Sequence, residues 1–333
     1  MSEKKEKKEK KDAKLSHSWF QSYVPSLDDS LIHQSISHQL IHLSKTDNFP
    51  HLLFYGPHGS GKYSLIMAFL REKFGDSIFN KELISFKIDD KHNIDVFKSQ
   101  YHYEIHTNIN QLQSKDLVNL FLKSVSQTKN ISTFSYHIVI IRHADLLSSR
   151  CQEALRRTLE KYYSSCRVIM TTTNLSKIND PIRSRLLKLR VPAPSQFEIK
   201  LIMNNLLKED NLEINTRAKQ IIEKLSMERN LTNALLHFEI SYYSKSSKIH
   251  RSYQEKLFET IWELLHNSKF ESHIKIREYM YHLVTSQIKW KELLYYIVKK
   301  SIKTYPLKKD LLHKIVELTA KYEYESQLCF RSF

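Results

Sequence analysis

The chain has 333 residues, 41% of them hydrophobic, with 52 Lys/Arg against 36 Asp/Glu for a net charge of +16. That apolar content supports packed cores and excludes a largely disordered chain, while only 4 Gly and 7 Pro exclude collagen-like and Gly-rich architectures and predict much helix. At roughly 100–200 residues per domain, two or three domains are expected.

Residues 1–14 carry seven Lys against three Glu and one Asp and read as a disordered basic tail, serving either as a nuclear address or as a solubilising segment. The tail lacks an apolar segment, so no secretory signal is predicted. No run of about 18 apolar residues occurs, so no spanning helix and no membrane partner are expected. The cysteines (Cys151, Cys166, Cys329) form no C-x-x-C pair and fit a reducing compartment without a zinc ribbon.

From residue 51 to 192, apolar runs alternate with amphipathic stretches. Strands are predicted at 51–55, 83–88, 101–105, 136–141, 166–173 and 186–191, with helices at 62–73, 111–127 and 146–162. Alternating strands and helices with continuous apolar strands predict an α/β domain built on a parallel sheet covered on both faces. Pro192 and Pro194 end the strand signal, and Ser195 is placed to cap the next helix. Beyond it the pattern is helical. Residues 15–192 therefore read as the α/β domain, 193–248 as a small helical lid closing on a polar linker (241–250), and 249–333 as an all-α domain.

The first strand runs into Gly56-Pro57-His58-Gly59-Ser60-Gly61-Lys62-Tyr63-Ser64 and then a helix. This matches seven positions of G-x-x-x-x-G-K-[ST]. Glycines let backbone N–H groups approach phosphate oxygens, the helix N-terminus faces the anion, and Lys62 reaches the terminal phosphates. The competing reading is an inherited loop that holds no nucleotide. At the eighth position Tyr63 replaces the hydroxyl that ligates Mg²⁺, and Ser64 faces elsewhere, so ADP or ATP is expected to bind without that metal contact. Strand 136–141 ends in Arg142-His143-Ala144-Asp145, where a phosphate-loop ATPase needs carboxylates for Mg²⁺ and water. Turnover at this site is expected to be lost. Asp145 is expected to cap the following helix. For Arg142 two readings stand: a surface-directed arginine, or a guanidinium in place of Mg²⁺. Within 141–190, eleven Lys/Arg face four Asp/Glu, an excess suited to a polyanion.

Taken in order, Gly56–Lys62, Arg142–Asp145, the helix Gln152–Tyr162, Pro181-Ile182-Arg183-Ser184-Arg185 and Val191–Ser195 resemble replication factor C, the eukaryotic AAA+ sliding-clamp loader. The resemblance spans about 15–333 and is greatest to the degenerate small subunit called 3 or 5. Trp19-Phe20-Gln21-Ser22-Tyr23-Val24-Pro25 is similar to that family's W-x-x-K-Y-x-P element. The resemblance implies an AAA+ domain, a lid and a collar within a pentameric ring that opens the sliding clamp on primer–template DNA in the nucleus. It implies that Arg185 reaches a neighbour's ATP, that Thr173 occupies the nucleotide-sensing position with Asn174 beside it, and that Gln152 is the switch glutamine. Thr232 stands where the lid arginine would be. Helix 146–162 pairs a core stripe with a charge ladder, so Arg156 and Arg157 are either a solvated face or contacts to DNA and clamp. Lys115, with Asn108, Asn110 and Ser114, is read either as a phosphate contact or as ordinary capping. Two further readings remain at this stage: a catalytically active AAA+ ATPase with unusual metal ligands, and a nucleotide-free scaffold subunit of an alternative or checkpoint loader.

Overall fold

A computed structural model of the chain describes residues 23–28, 30–89, 92–107, 117–127, 136–209, 216–227, 229–243, 253–266, 270–286, 288, 290–304 and 309–328. The basic tail, Trp19–Ser22, Asn108, Asn110, Ser114, Lys115 and Cys329 lie outside them. The chain divides into two compact units, Met1–Lys248 and Ile249–Phe333.

The first unit opens with α1 (Gln34–Ser44), β1 (Leu52–Tyr55) and α2 (Lys62–Phe74), followed by β2 (Glu82–Asp89), β3 (His92–Lys98), β4 (His102–His106) and α3 (Leu117–Gln127). Then come β5 (His137–Arg142), α4 (Ser149–Lys161), β6 (Cys166–Thr172), the single turn α5 (Asp180–Arg183) and β7 (Leu187–Arg190). The sheet order is β2-β3-β4-β5-β6-β1-β7. β4, β5, β6, β1 and β7 are parallel neighbours, whereas β2–β3 and β3–β4 are antiparallel. The expected parallel sheet is therefore β4, β5, β6, β1 and β7, running to one edge, and the antiparallel β2–β3 hairpin at the other edge corrects it. β3 escaped prediction because only alternate residues (Ile94, Val96) are buried while Asn93, Asp95 and Lys98 are exposed. Its apolar signal is half that of a central strand.

The central strands are buried on both faces, which explains their continuous apolar runs. Along β5, Val139 and Ile141 enter one core with Leu53, Val168, Phe121 and Leu155. Ile138 and Ile140 enter the other, with Leu52, Phe54, Ile66 and Phe69. α4 starts later than 146, because Ala144–Leu146 form a separate 3-10 turn. Its cap is Ser148, whose Oγ accepts from the Cys151 N–H at 3.2 Å, and not Asp145.

The lid helices α6 (Gln196–Glu209), α7 (Thr216–Ser226) and α8 (Leu231–Tyr243) complete this unit. Ser195 caps α6 as expected: the Glu198 N–H donates to Ser195 Oγ (3.2 Å), and the Ser195 N–H donates to the Glu198 carboxylate (2.6 Å). The second unit comprises α9 (Tyr253–His266), α10 (Phe270–Thr285), α11 (Trp290–Thr304) and α12 (Lys309–Leu328) around Leu257, Phe258, Ile261, Leu283 and Leu293. It leaves Tyr281, Tyr295, Leu311, Val316 and Leu318 more than half exposed. Among the described residues, no helix is long and apolar enough to cross a membrane.

Candidate nucleotide site

The parallel strands β5, β6 and β1 all end on one edge, and there the topology gathers the sequence motifs. The Gly56 N–H donates to Thr172 O (3.2 Å), and the Val191 N–H donates to Tyr55 O (2.8 Å). At Gly56 (φ 154°) a Cβ would lie 1.9 Å from Val191 O, and at Gly59 (φ 69°) a Cβ would lie 1.7 Å from Asn230 Oδ1. Gly56 is thus required by close backbone approach and Gly59 by the Asn230 side chain, in both cases as well as by φ. Asn230 caps α8 and the Leu231 N–H donates to Gly59 O at 2.9 Å, so the lid sits on the phosphate loop itself. Fully buried Ser60 is tied from the other side, where His33 Nε2 lies 2.9 Å from its carbonyl. Pro57 and His58 are exposed, and Gly61 (φ 87°) begins α2.

Lys62 folds back over this loop. Its Nζ donates to Gly56 O (2.8 Å), Pro57 O (2.6 Å) and Ser60 Oγ (3.4 Å). Burial lowers its pKa to about 8, with nearby Asp145 opposing the shift. Asp145 accepts from Thr172 Oγ1 (3.3 Å), from the Thr173 N–H (3.4 Å) and from Thr173 Oγ1 (3.0 Å). The aspartate expected to cap a helix instead tethers Thr173, the residue the family resemblance puts at the nucleotide-sensing position.

Tyr63 follows Lys62 but turns away from the loop. Its hydroxyl donates to both Glu104 oxygens, at 3.0 and 3.2 Å, and Lys81 Nζ donates to Tyr63 Oη and to Glu104 Oε1, each at 2.5 Å. His102 Nε2 donates to the same oxygen at 3.0 Å. Burial raises the Glu104 pKa, but His102 and Lys81 outweigh it and hold the carboxyl down at about 2. Burial and Glu104 push the Tyr63 phenol well above its ordinary value. Sequence reasoning missed Glu104 and Lys81. The available signal was the period-2 spacing of His102, Glu104 and His106, which puts three polar groups on one side of a strand.

Arg142 is half-buried and its guanidinium lies 4.3 Å from the centre of the Tyr63 ring, which corrects the surface-directed reading. Its Nη1 is 3.4 Å from His106 Nε2. An arginine can only donate, so His106 accepts and is neutral there. Burial first, then Arg142, lowers the His106 pKa to about 4, in accord with that geometry. His143 is left-handed (φ 57°) and its ring centre is 5.9 Å from that of His58 in the phosphate loop. Burial and Arg142 lower its pKa. The site therefore gathers Lys62, Arg142 and three imidazoles, with Asp145 occupied by threonines and Glu104 by Lys81, Tyr63 and His102.

Two predicted groups lie apart from this cluster. Gln152 is buried: its Nε2 donates to Leu147 O (3.1 Å) and Lys177 O (3.0 Å), and its Oε1 accepts from the Asn179 N–H (2.8 Å). It staples α4 to the start of α5. Arg156 and Arg157 are exposed on α4 and, with Arg150, Asn179 and Pro181, line a surface cavity of about 350 Å³. Arg185 Nε donates to Glu160 Oε1 at 2.5 Å, and its Nη1 contacts Pro181 O. It lies half-exposed on the face of α4 away from the sheet.

Acid should destabilise the fold well before any carboxylate titrates. Burial, opposed by the Leu159 carbonyl and assisted by Arg167, lowers the His51 pKa to about 4. The unfolded chain binds a proton at this residue near 6.5 while the native state resists it. Stability is therefore present above the unfolded value and is lost as pH falls between 6.5 and 4, by on the order of 2 kcal/mol from pH 7 to pH 5 for this group. Urea unfolding at the two pH values checks the expectation; a His51→Gln variant with undiminished acid sensitivity would refute the assignment.

A family model described as DNA polymerase III, delta subunit matches residues 32–195. Replication factor C subunit 3 of Mus musculus is 36% identical over 230 residues, 66% of this chain and 64% of that protein. The chain thus matches somewhat less than two thirds of that relative's length. Replication factor C subunit 5 of Oryza sativa subsp. japonica is 29% identical over 328 residues, 93% of this chain and 92% of that protein. Among solved structures, the Aeropyrum pernix Orc1 protein in complex with DNA superposes with a TM-score of 0.49 at 13% identity, covering 93% of this chain and 87% of that one.

Proposed function

This chain belongs to the replication factor C family of AAA+ clamp-loader proteins, and on that premise we propose that it is a non-hydrolysing, nucleotide-holding subunit of a hetero-oligomeric loader. In this reading it joins other replication factor C subunits in a ring in the nucleus, which places a sliding clamp on primer–template DNA in replication and repair. It holds ADP or ATP as a structural ligand and offers Arg185 to the ATP of its neighbour. Its helical second unit serves as the collar, whose exposed Tyr281, Tyr295, Leu311 and Val316 suit burial in a ring. Exposed Arg156 and Arg157 suit contact with phosphates, independent of sequence and weakened by salt.

The observation carrying this reading is the end of β5. Arg142 and His143 occupy the places from which carboxylates would hold Mg²⁺ and polarise water, while the phosphate loop beside them keeps its glycines and Lys62. One observation favours the nucleotide-free scaffold instead: Lys62 satisfies its own loop's carbonyls and Asn230 is seated on Gly59. The two readings separate in one experiment. The protein purified gently should carry about one equivalent of nucleotide and show no ATP turnover, and Lys62→Ala should empty it. Protein recovered without nucleotide supports the scaffold, and steady turnover refutes both. Affinity purification should also recover four further loader subunits and the clamp.

A further inference from the structure

The magnesium ion that this family's nucleotide sites imply does not fit the residues present. The hydroxyl following Lys62 belongs to a phenol and is engaged by Glu104 and Lys81. The end of β5 presents a guanidinium and an imidazole instead of carboxylates. Asp145 is held by Thr172 and Thr173.

We propose that Arg142, carried on the ring of Tyr63, is a built-in cation that takes the place of the divalent metal, so that this site binds a nucleoside diphosphate or triphosphate without any metal ion.

Three features of the geometry argue for it. First, the guanidinium is positioned. One face lies 4.3 Å from the Tyr63 ring centre, Nη1 is 3.4 Å from a neutral His106, and the Tyr63 ring is itself fixed through its hydroxyl by Glu104 and Lys81. Tyr63 has lost a metal-ligating role and become the platform for the replacement charge. Second, among the described residues the charge of Arg142 is uncompensated. Among the described residues no carboxylate is within ion-pair distance of it, and the nearest carboxylates are occupied: Glu104 by Lys81 and His102, Asp145 by the two threonines. A half-buried cation without a counter-ion among the described residues, which like Lys62 lies close enough to His143 to act on its imidazole, suits an anion. Third, a divalent ion entering here would meet Arg142, Lys62 and Lys81 with no available carboxylate, and like charges repel.

The inference rests on the proposed nucleotide-holding role and is tested so that the two can fail separately. A fluorescent ADP carrying an N-methylanthraniloyl group is titrated into the full chain, once with excess EDTA and once with magnesium. The expected dissociation constants agree within about twofold, and Arg142→Gln weakens binding in EDTA by about tenfold or more. Lys62→Ala abolishes binding in both buffers. Binding that requires magnesium, or an Arg142→Gln protein that binds as well as the parent in EDTA, overturns the inference while leaving the nucleotide-holding role intact. No binding by the parent chain in either buffer removes both. The comparison of the two buffers needs no variant and decides metal independence by itself; where Arg142→Gln fails to fold, Arg142→Lys, which keeps the charge, should retain binding in EDTA, and its loss there overturns the assignment to Arg142.

Discussion

In a reconstituted ring, Arg185→Ala is expected, on the proposed trans role, to slow ATP hydrolysis at one neighbouring site by about 10³-fold, with assembly unaffected. A guanidinium entering from another subunit would neutralise charge that develops on the transferring phosphate. In the isolated chain this arginine is paired with Glu160 and rests on the Pro181 carbonyl. Both partners are substantially exposed, with side-chain exposures of 33% and 47%, so the pair contributes less than about 1 kcal/mol and gives way easily to a phosphate. Glu160→Ala should accordingly leave stability within about 0.5 kcal/mol. Single-turnover hydrolysis at that site, with ring assembly followed by size-exclusion chromatography, measures the effect. Unchanged hydrolysis in an intact Arg185→Ala ring would remove the trans role.

The second large effect is on stability. Glu104→Ala should cost about 3 kcal/mol, because the carboxylate is 3% exposed and three groups depend on it. Its loss strands the Lys81 ammonium, the Tyr63 hydroxyl and the His102 N–H at once, and each stranded group bears its own desolvation cost. For a unit of this size the melting temperature should fall by roughly 10 °C. Glu104→Gln keeps the shape and some of the hydrogen bonds, and should cost about half as much. A melting temperature unchanged by Glu104→Ala would mean that Lys81 and Tyr63 find water instead. The same variant loosens the Tyr63 ring, so metal-free nucleotide binding should weaken in parallel, which links the structural network to the phosphate site.

The legible parts of this protein were those where one local pattern demands one backbone. The central strands β1, β5 and β6 were readable because burial on both faces leaves an unbroken apolar run, as in Ile138–Ile141. The turn between β1 and α2 was readable because it needs glycines: a Cβ at Gly56 would meet Val191 O and one at Gly59 would meet Asn230 Oδ1. The capping of α6 by Ser195 was readable because its partner, Glu198, is three residues away. Of the β2–β3 hairpin, β3 was missed because a strand buried at alternate residues only looks like a loop, and the cap at Asp145 was misplaced because the carboxylate's partners, Thr172 and Thr173, are distant in sequence.

What the sequence alone determined is that the carboxylates are absent from the end of β5: Arg142 cannot ligate Mg²⁺, and the imidazole of His143 is a poor substitute for a carboxylate toward that hard ion. Only the tertiary structure decided what fills their place. Parallel pairing sets β4 beside β5, bringing Glu104 and His106 from one strand to Tyr63 from a helix and Arg142 from another strand. Contacts across such sequence separations depend on sheet order, which no local periodicity encodes. The same chain that lost its metal ligands residue by residue thereby acquires, through packing, a positioned cation.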